Sequence, residues 1–126
     1  MDKHVAEIVT FHLAEGVKTA DFVALMQRTE GFVRAQSGFL HRQLTRGADG
    51  SWTDYVVWQD MATAQEVAQS FMTQEFSAEV MAAIAPDTAK MRHEEVRLVH
   101  GQLGSDNLQA QGAEGGLDLL PAPYKG

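Results

Sequence analysis

Only one pair of strands in this chain can be joined by a tight turn, and that removes most all-β arrangements at once. Two alternating segments, Phe39 to Arg46 and Ser51 to Gln59, flank RGADG, where Asp49-Gly50 supplies the backbone freedom that a hairpin needs. Every other join runs through a stretch of helical period. Upstream, Val5 to Leu13 alternates, with Val9, Phe11 and Leu13 on one face and Ile8, Thr10 and His12 on the other. Thr19 then offers an N-cap, and Asp21 stands in the first turn, where the helix dipole favours an anion. Phe22, Leu25, Met26, Thr29, Phe32 and Val33 follow as the stripe of one amphipathic helix lying on a sheet. Gly31 inside that stripe points to close backbone packing, and Gly38 suits the left-handed residue that ends a helix.

After the hairpin, Asp60 caps a second helix that presents Ala64, Val67, Ala68 and Phe71 on one side. A shorter helical segment carries Phe76, Val80 and Ile84 at spacing four, and Pro86 closes it. Met91 to His100 is the last strand. The order is therefore β-α-β-β-α-β. It defines an α+β, ferredoxin-like fold around an antiparallel four-stranded sheet.

Residues 1–100 make up that domain, and 101–126 form a separate tail. Six of the eleven glycines and two of the three prolines fall in the tail, so it should lack a fold of its own. Its Leu117, Leu119 and Leu120 are the residues that could dock it onto the body or onto a partner subunit. A length of 126 residues with 44% hydrophobic content suffices for one core. The net charge of −7, with ten scattered basic residues, argues against a nucleic-acid partner, because duplex binding needs clustered Lys and Arg. Without cysteine there is no disulfide, thiolate metal site or Cys nucleophile. No apolar run reaches the ~18 residues of a membrane span, and MDKHVAEIVTFHL does not read as a signal peptide, so no membrane association and a cytoplasmic location are expected.

Two helices on one face of such a sheet leave the other face bare. Neither face reads as ready for water. One is expected to carry Val9, Phe11, Leu44, Tyr55 and Val57, the other Ile8, Trp52, Val56, Trp58 and Met91. Exposed apolar patches of several hundred Å² are rare on monomers, and two-fold self-association is the common remedy. A homodimer through the face of Val9, Phe11, Leu44, Tyr55 and Val57 is therefore expected.

The stretch GFLHRQLTRGADGSWTDYVVWQDMATAQEVAQSF resembles the centre of an antibiotic-biosynthesis-monooxygenase domain, of the dimeric α/β-barrel superfamily. Its marks are GF opening the second strand, a short turn, and a third strand that ends in Trp58 just before a helix. The likeness spans about residues 4–100. It implies a barrel formed by two sheets stacked face to face in a dimer. It also implies one of several activities, among them cofactor-free oxygenation of polyketide anthrones, haem degradation and lactone isomerisation. In the anthrone-oxygenase branch the third strand carries an Asn and, four residues on, a Trp facing a pocket. Asp54 and Trp58 stand at the matching places, and Ala64 replaces a Tyr of the following helix.

On a strand, spacing four puts Asp54 and Trp58 on one face with Trp52 and Val56. An aromatic wall beside a carboxylate suits a flat aromatic ligand, and the carboxylate could remove a proton from an acidic phenol or anthrone. The candidate bases are thus Asp54, His93 and His12; Trp58, Trp52, Thr10 and Ile8 are the candidate ligand contacts. The alternative is a buried structural Trp58 and a solvated Asp54. His12, His41 and His93 lie on different strands without a local ligand spacing, so no metal site is expected. No His occurs in 19–36 or 61–85, which leaves the helices without the haem ligand of the haem-degrading branch. No Gly-rich phosphate loop follows a strand, so no nucleotide cofactor is expected either. The chain reads as a cofactor-independent monooxygenase-like enzyme for a small hydrophobic aromatic or quinoid molecule. A non-catalytic ligand-binding dimer and a lactone or enol isomerase are the alternatives.

Overall fold

The computed structural model describes residues 3–101; the Leu117 to Leu120 segment of the tail lies outside them. The elements follow the order β1 (Val5–Phe11), α1 (Thr19–Gln27), α2 (Glu30–Arg34), β2 (Phe39–Arg46), β3 (Trp52–Trp58), α3 (Met61–Phe71), α4 (Ser77–Ala83) and β4 (Lys90–Glu95). The four strands form one sheet in the order β2-β3-β1-β4, antiparallel at every pairing. This is the ferredoxin-like arrangement expected from the pattern, with β1 central because it pairs on both sides. Among the described residues no helix is long and apolar enough to cross a membrane.

The helices pack on the face that carries Phe11 and Trp52 at one end and Val56 and Trp58 at the other. One cluster gathers Phe11, Phe22, Met26, Trp52, Phe76 and Val80; a second gathers Val33, Val56, Trp58, Ala64 and Val67. Phe22, fully buried, meets both Phe11 and Trp52 edge to face, at ring-centre distances of 5.6 and 5.1 Å. These contacts hold α1 on the sheet.

Strand register corrects the expected sorting of faces. Val5, Glu7, Val9 and Phe11 sit opposite Trp58, Val56, Asp54 and Trp52, and residues directly opposite share a face. Val9, Phe11 and Leu44 therefore point toward the helices with Asp54 and Trp58, not with Tyr55 and Val57. Ile8 and Thr10 lie on the opposite face, across from Tyr55 and Thr53. Alternation within each strand was read correctly. The pairing between strands was displaced by one residue, and such a slip turns a whole set of side chains over.

The expected first helix is two. Backbone N–H groups of Arg28 and Thr29 reach back three residues to Leu25 and Met26, a tightening that ends α1 before Glu30 opens α2. The Thr29 hydroxyl, buried at the break, donates to the Met26 carbonyl at 2.6 Å. Lys18 occupies the N-cap position and Thr19 is the first helical residue. At Gly31 an added Cβ would meet nothing within 4 Å, so no close backbone packing explains that glycine. Gly38 does take the left-handed backbone expected of it, with φ +94°. Asp60 caps α3 as anticipated, accepting the Thr63 N–H at 2.8 Å. The first and last strands run shorter than their patterns: β1 stops at Phe11, leaving Leu13 as an isolated bridge to Ile84, and β4 stops at Glu95.

Candidate active site

A cavity of about 210 Å³ lies between the sheet and the helices, at the seam of the two hydrophobic clusters. Its floor is the helix-facing parity of the sheet: Glu7 and Val9 from β1, Asp54, Val56 and Trp58 from β3, and Arg42 from β2. Val67, Ala68 and Phe71 of α3 and Val80 of α4 form the roof. Met72, Met81 and Met91 also line it and are 55, 49 and 55% exposed, which makes them a soft, polarisable rim. The size exceeds the ~150 Å³ of an engineered apolar cavity that accepts benzene.

Two polar arrays are set into this apolar surface. In the first, Arg42 forms a two-pronged pair with Asp54: Nε donates to Oδ1 at 3.0 Å and Nη2 donates to Oδ2 at 2.8 Å. Its Nη1 donates to the Thr29 hydroxyl at 2.8 Å, so the break between α1 and α2 places the oxygen that steadies the guanidinium. The Arg42 and Asp54 side chains are only 13 and 16% exposed, and each neutralises the other.

In the second array, the Trp58 indole N–H donates to Glu7 Oε1 at 3.1 Å. Glu7 Oε2 lies 3.5 Å from His93 Nε2, which is buried and makes no hydrogen bond. The distance allows a contact, but the ring is not aligned for a hydrogen bond. Glu7 and His93 face each other because they are register partners on β1 and β4.

Asp54 and Trp58 thus both line the cavity, and His93 stands just behind it, in contact with the lining residue Glu7. Trp52 shares their face but is packed on Phe22 in the first cluster, outside the cavity wall. Ile8 and Thr10 are on the far face, and His12 is exposed beyond the end of β1, where its backbone bonds Thr88 and Ala85. Those three cannot reach a ligand in the cavity. His41 is on the far face too, 2.9 Å from the Gln43 amide oxygen. Among the described residues, no three His, Asp or Glu side chains gather in a way that could hold a metal ion.

The sequence pattern assigned no place in the site to Glu7 or Arg42, and put Thr29 only on the sheet-facing stripe of a helix. The signal for Glu7 was present: a single carboxylate inside VAEIVTF, on the parity of Val5, Val9 and Phe11. A charge on the core parity of a central strand needs a partner, and the partner here is an indole N–H.

Compared by sequence, the chain matches no protein-family model and no curated protein. Compared by structure, it is similar to a proposed antibiotic biosynthesis monooxygenase from Bordetella bronchiseptica, with a TM-score of 0.65 at 21% identity over 76% of this chain and 99% of that one. It is also similar to a variant of SnoaB, a cofactor-independent oxygenase from Streptomyces nogalater, with a TM-score of 0.62 at 20% identity over 79% and 98% of the two chains. A further proposed antibiotic biosynthesis monooxygenase, from Nitrosomonas europaea, reaches 0.62 at 12% identity over 80% and 97%. At these identities the likeness is one of fold. The class defined is that of a ferredoxin-like domain with a ligand-sized cavity between its sheet and its helices.

Proposed function

We propose that this chain is an antibiotic-biosynthesis-monooxygenase-like enzyme that oxygenates a flat, hydrophobic aromatic or quinoid molecule without a cofactor. The observation that carries this reading is the cavity itself: apolar walls, an indole at one side, and carboxylates set into the floor. The cavity opens past the exposed Met72, Met81 and Met91, and an aromatic guest would release water from its apolar walls. The similar fold of a cofactor-independent oxygenase supports the same reading.

The chemistry asks little of the protein. A base removes a proton from an acidic methylene next to a carbonyl, as in an anthrone, and leaves its electron pair delocalised as an enolate. The enolate carbon is electron-rich enough to reduce dioxygen and bond to it. Loss of water from the resulting hydroperoxide leaves a ketone, so a CH₂ and one O₂ become a C=O and one H₂O. The substrate carbon supplies all the electrons. The walls hold the ring, keep bulk water away from the enolate and place it for attack.

We also expect the working form to be a homodimer. The helices cover one face of the sheet; on the other Ala6, Ile8 and Val57 are already buried within the chain, and the half-buried Thr10, Thr53 and Tyr55 are what that face offers a second copy. That face, rather than the one bearing Val9 and Phe11, is the surface for a second copy.

Oxygen uptake with a panel of anthrones and polyhydroxynaphthalenes tests the reaction. Uptake that depends on the protein, with quinone as product, is the expected result. Ligand-dependent thermal stabilisation without any uptake would leave a binding protein.

A further inference from the structure

Glu7 is a buried carboxylate that no expectation from the sequence had used, and its surroundings differ from those of Asp54 in one respect that matters for proton transfer. Both Asp54 oxygens already accept a charge-assisted hydrogen bond from Arg42 N–H groups. Glu7 accepts one hydrogen bond on Oε1, from Trp58; on Oε2 it accepts none among the described residues. That free oxygen belongs to a side chain lining the cavity.

Behind it stands His93. Its Nε2 is buried and unpartnered, although the side chain as a whole is 22% exposed, so another part of the ring meets solvent. A neutral imidazole with its proton on Nδ1 presents a bare acceptor at Nε2. A movement of roughly 0.5–0.8 Å brings 3.5 Å to a good hydrogen-bond length. Cavity, Glu7, His93 and solvent thus lie in sequence.

We propose that Glu7 is the base that takes the ligand's proton and that His93 relays it to solvent, the Trp58 N–H holding Glu7 in line. This rests on the reading of the cavity as a site for an acidic carbon or hydroxyl. The proton leaves the substrate carbon while its bonding pair stays behind as the enolate, and the Glu7 carboxylate becomes a carboxylic acid. Glu7 then passes the proton to Nε2 of neutral His93, recovering its own charge and forming an imidazolium. The imidazolium releases a proton to water from the exposed side of the ring. Each group ends as it began, and no redox partner is consumed.

The charged groups around the relay are few. Arg42 and Asp54 share the cavity with Glu7 and neutralise each other, and Glu95 lies two residues beyond His93 on the same parity of β4. The roof residues Val67, Ala68, Phe71 and Val80 carry no titratable group. Asp54 and Arg42 then serve to position the ligand, and Asp54 is not the base.

Proton removal is best read apart from oxygen chemistry. Anthrone is incubated with the full-length protein in deuterated buffer without oxygen, and deuterium entering its methylene is followed by mass spectrometry. Binding is measured in parallel from quenching of tryptophan fluorescence by anthraquinone, which has no proton to give. Wild type should speed exchange well above buffer alone. Glu7→Gln should lose about 100-fold or more of that acceleration while anthraquinone affinity stays within about threefold. Glu7→Asp should recover part of the rate. His93→Gln should slow exchange, flatten its dependence on pH near neutrality and respond to added imidazole, which a merely structural histidine would not do. Exchange that persists in Glu7→Gln overturns the proposal, as does a His93→Gln variant indifferent to both pH and imidazole. Exchange without oxygen uptake keeps the relay and removes the oxygenase reading. Wild type that neither binds anthraquinone nor exchanges anthrone removes both.

Discussion

Arg42 is held at three nitrogens, two on Asp54 and one on Thr29. Removing one member of so enclosed a pair leaves the other charge uncompensated, whereas removing both need not. Arg42→Met is therefore expected to destabilise the fold by about 3 kcal/mol. Adding Asp54→Leu should restore part of it, and urea unfolding of the single and double variants checks the pattern. At Trp58, ring and N–H act separately: Trp58→Ala should weaken anthraquinone binding at least tenfold, while Trp58→Phe should keep most of it. Asp54 and Trp58 could be picked out from the sequence because they sit on one strand, where parity alone joins them. Glu7 and His93 could not be joined that way. Their meeting depends on the pairing of β1 with β4, strands separated by most of the chain.

The same limit shows in the elements. Period and caps located the helices and the hairpin, because those signals are local: Asp60 ahead of α3 and Asp49-Gly50 between β2 and β3 act over a few residues. Which face of β3 met which face of β1 was misread, since both parities carry apolar side chains and nothing local prefers one register. The division of α1 from α2 was missed for a related reason. The stripe of apolar residues continues through Thr29, and only the buried hydroxyl there marks the break. The Thr63 backbone N–H holds the Asp60 carboxyl below its ordinary value of 3.8, so the cap is at full strength above that value and fails as pH falls through the lower folded value. Thermal melts between about pH 2 and 6 should show a smaller acid-dependent loss for Asp60→Asn than for wild type, because an Asn cap does not titrate. Gly38→Ala places a Cβ at φ +94° and 2.9 Å from Gln59 Cγ, and should lower stability by about 1–2 kcal/mol in the same melts.

For the molecule as a whole, the expected dimer is the first thing to measure. Light scattering at micromolar concentration should give about twice the chain mass of 13.8 kDa. A single-chain mass there would remove the dimer, since a stable interface of this kind buries more than about 1,000 Å² in total. Among the described residues the edge strands of the sheet are β2 and β4, and β4 consists of Lys90, Met91, Arg92, His93, Glu94 and Glu95. Arg92 and Glu94 pair at 2.8 Å, as do Lys3 and Glu95 at 3.4 Å, so both signs of charge crowd a strand of six residues. Another strand trying to add there would have to desolvate these charges and would gain only a short ladder of backbone hydrogen bonds. The β4 edge is therefore guarded against pairing with a strand of another copy. At high concentration, growth of an open-ended ribbon through that edge is not expected, because each added copy would have to strip water from the same crowd of charges.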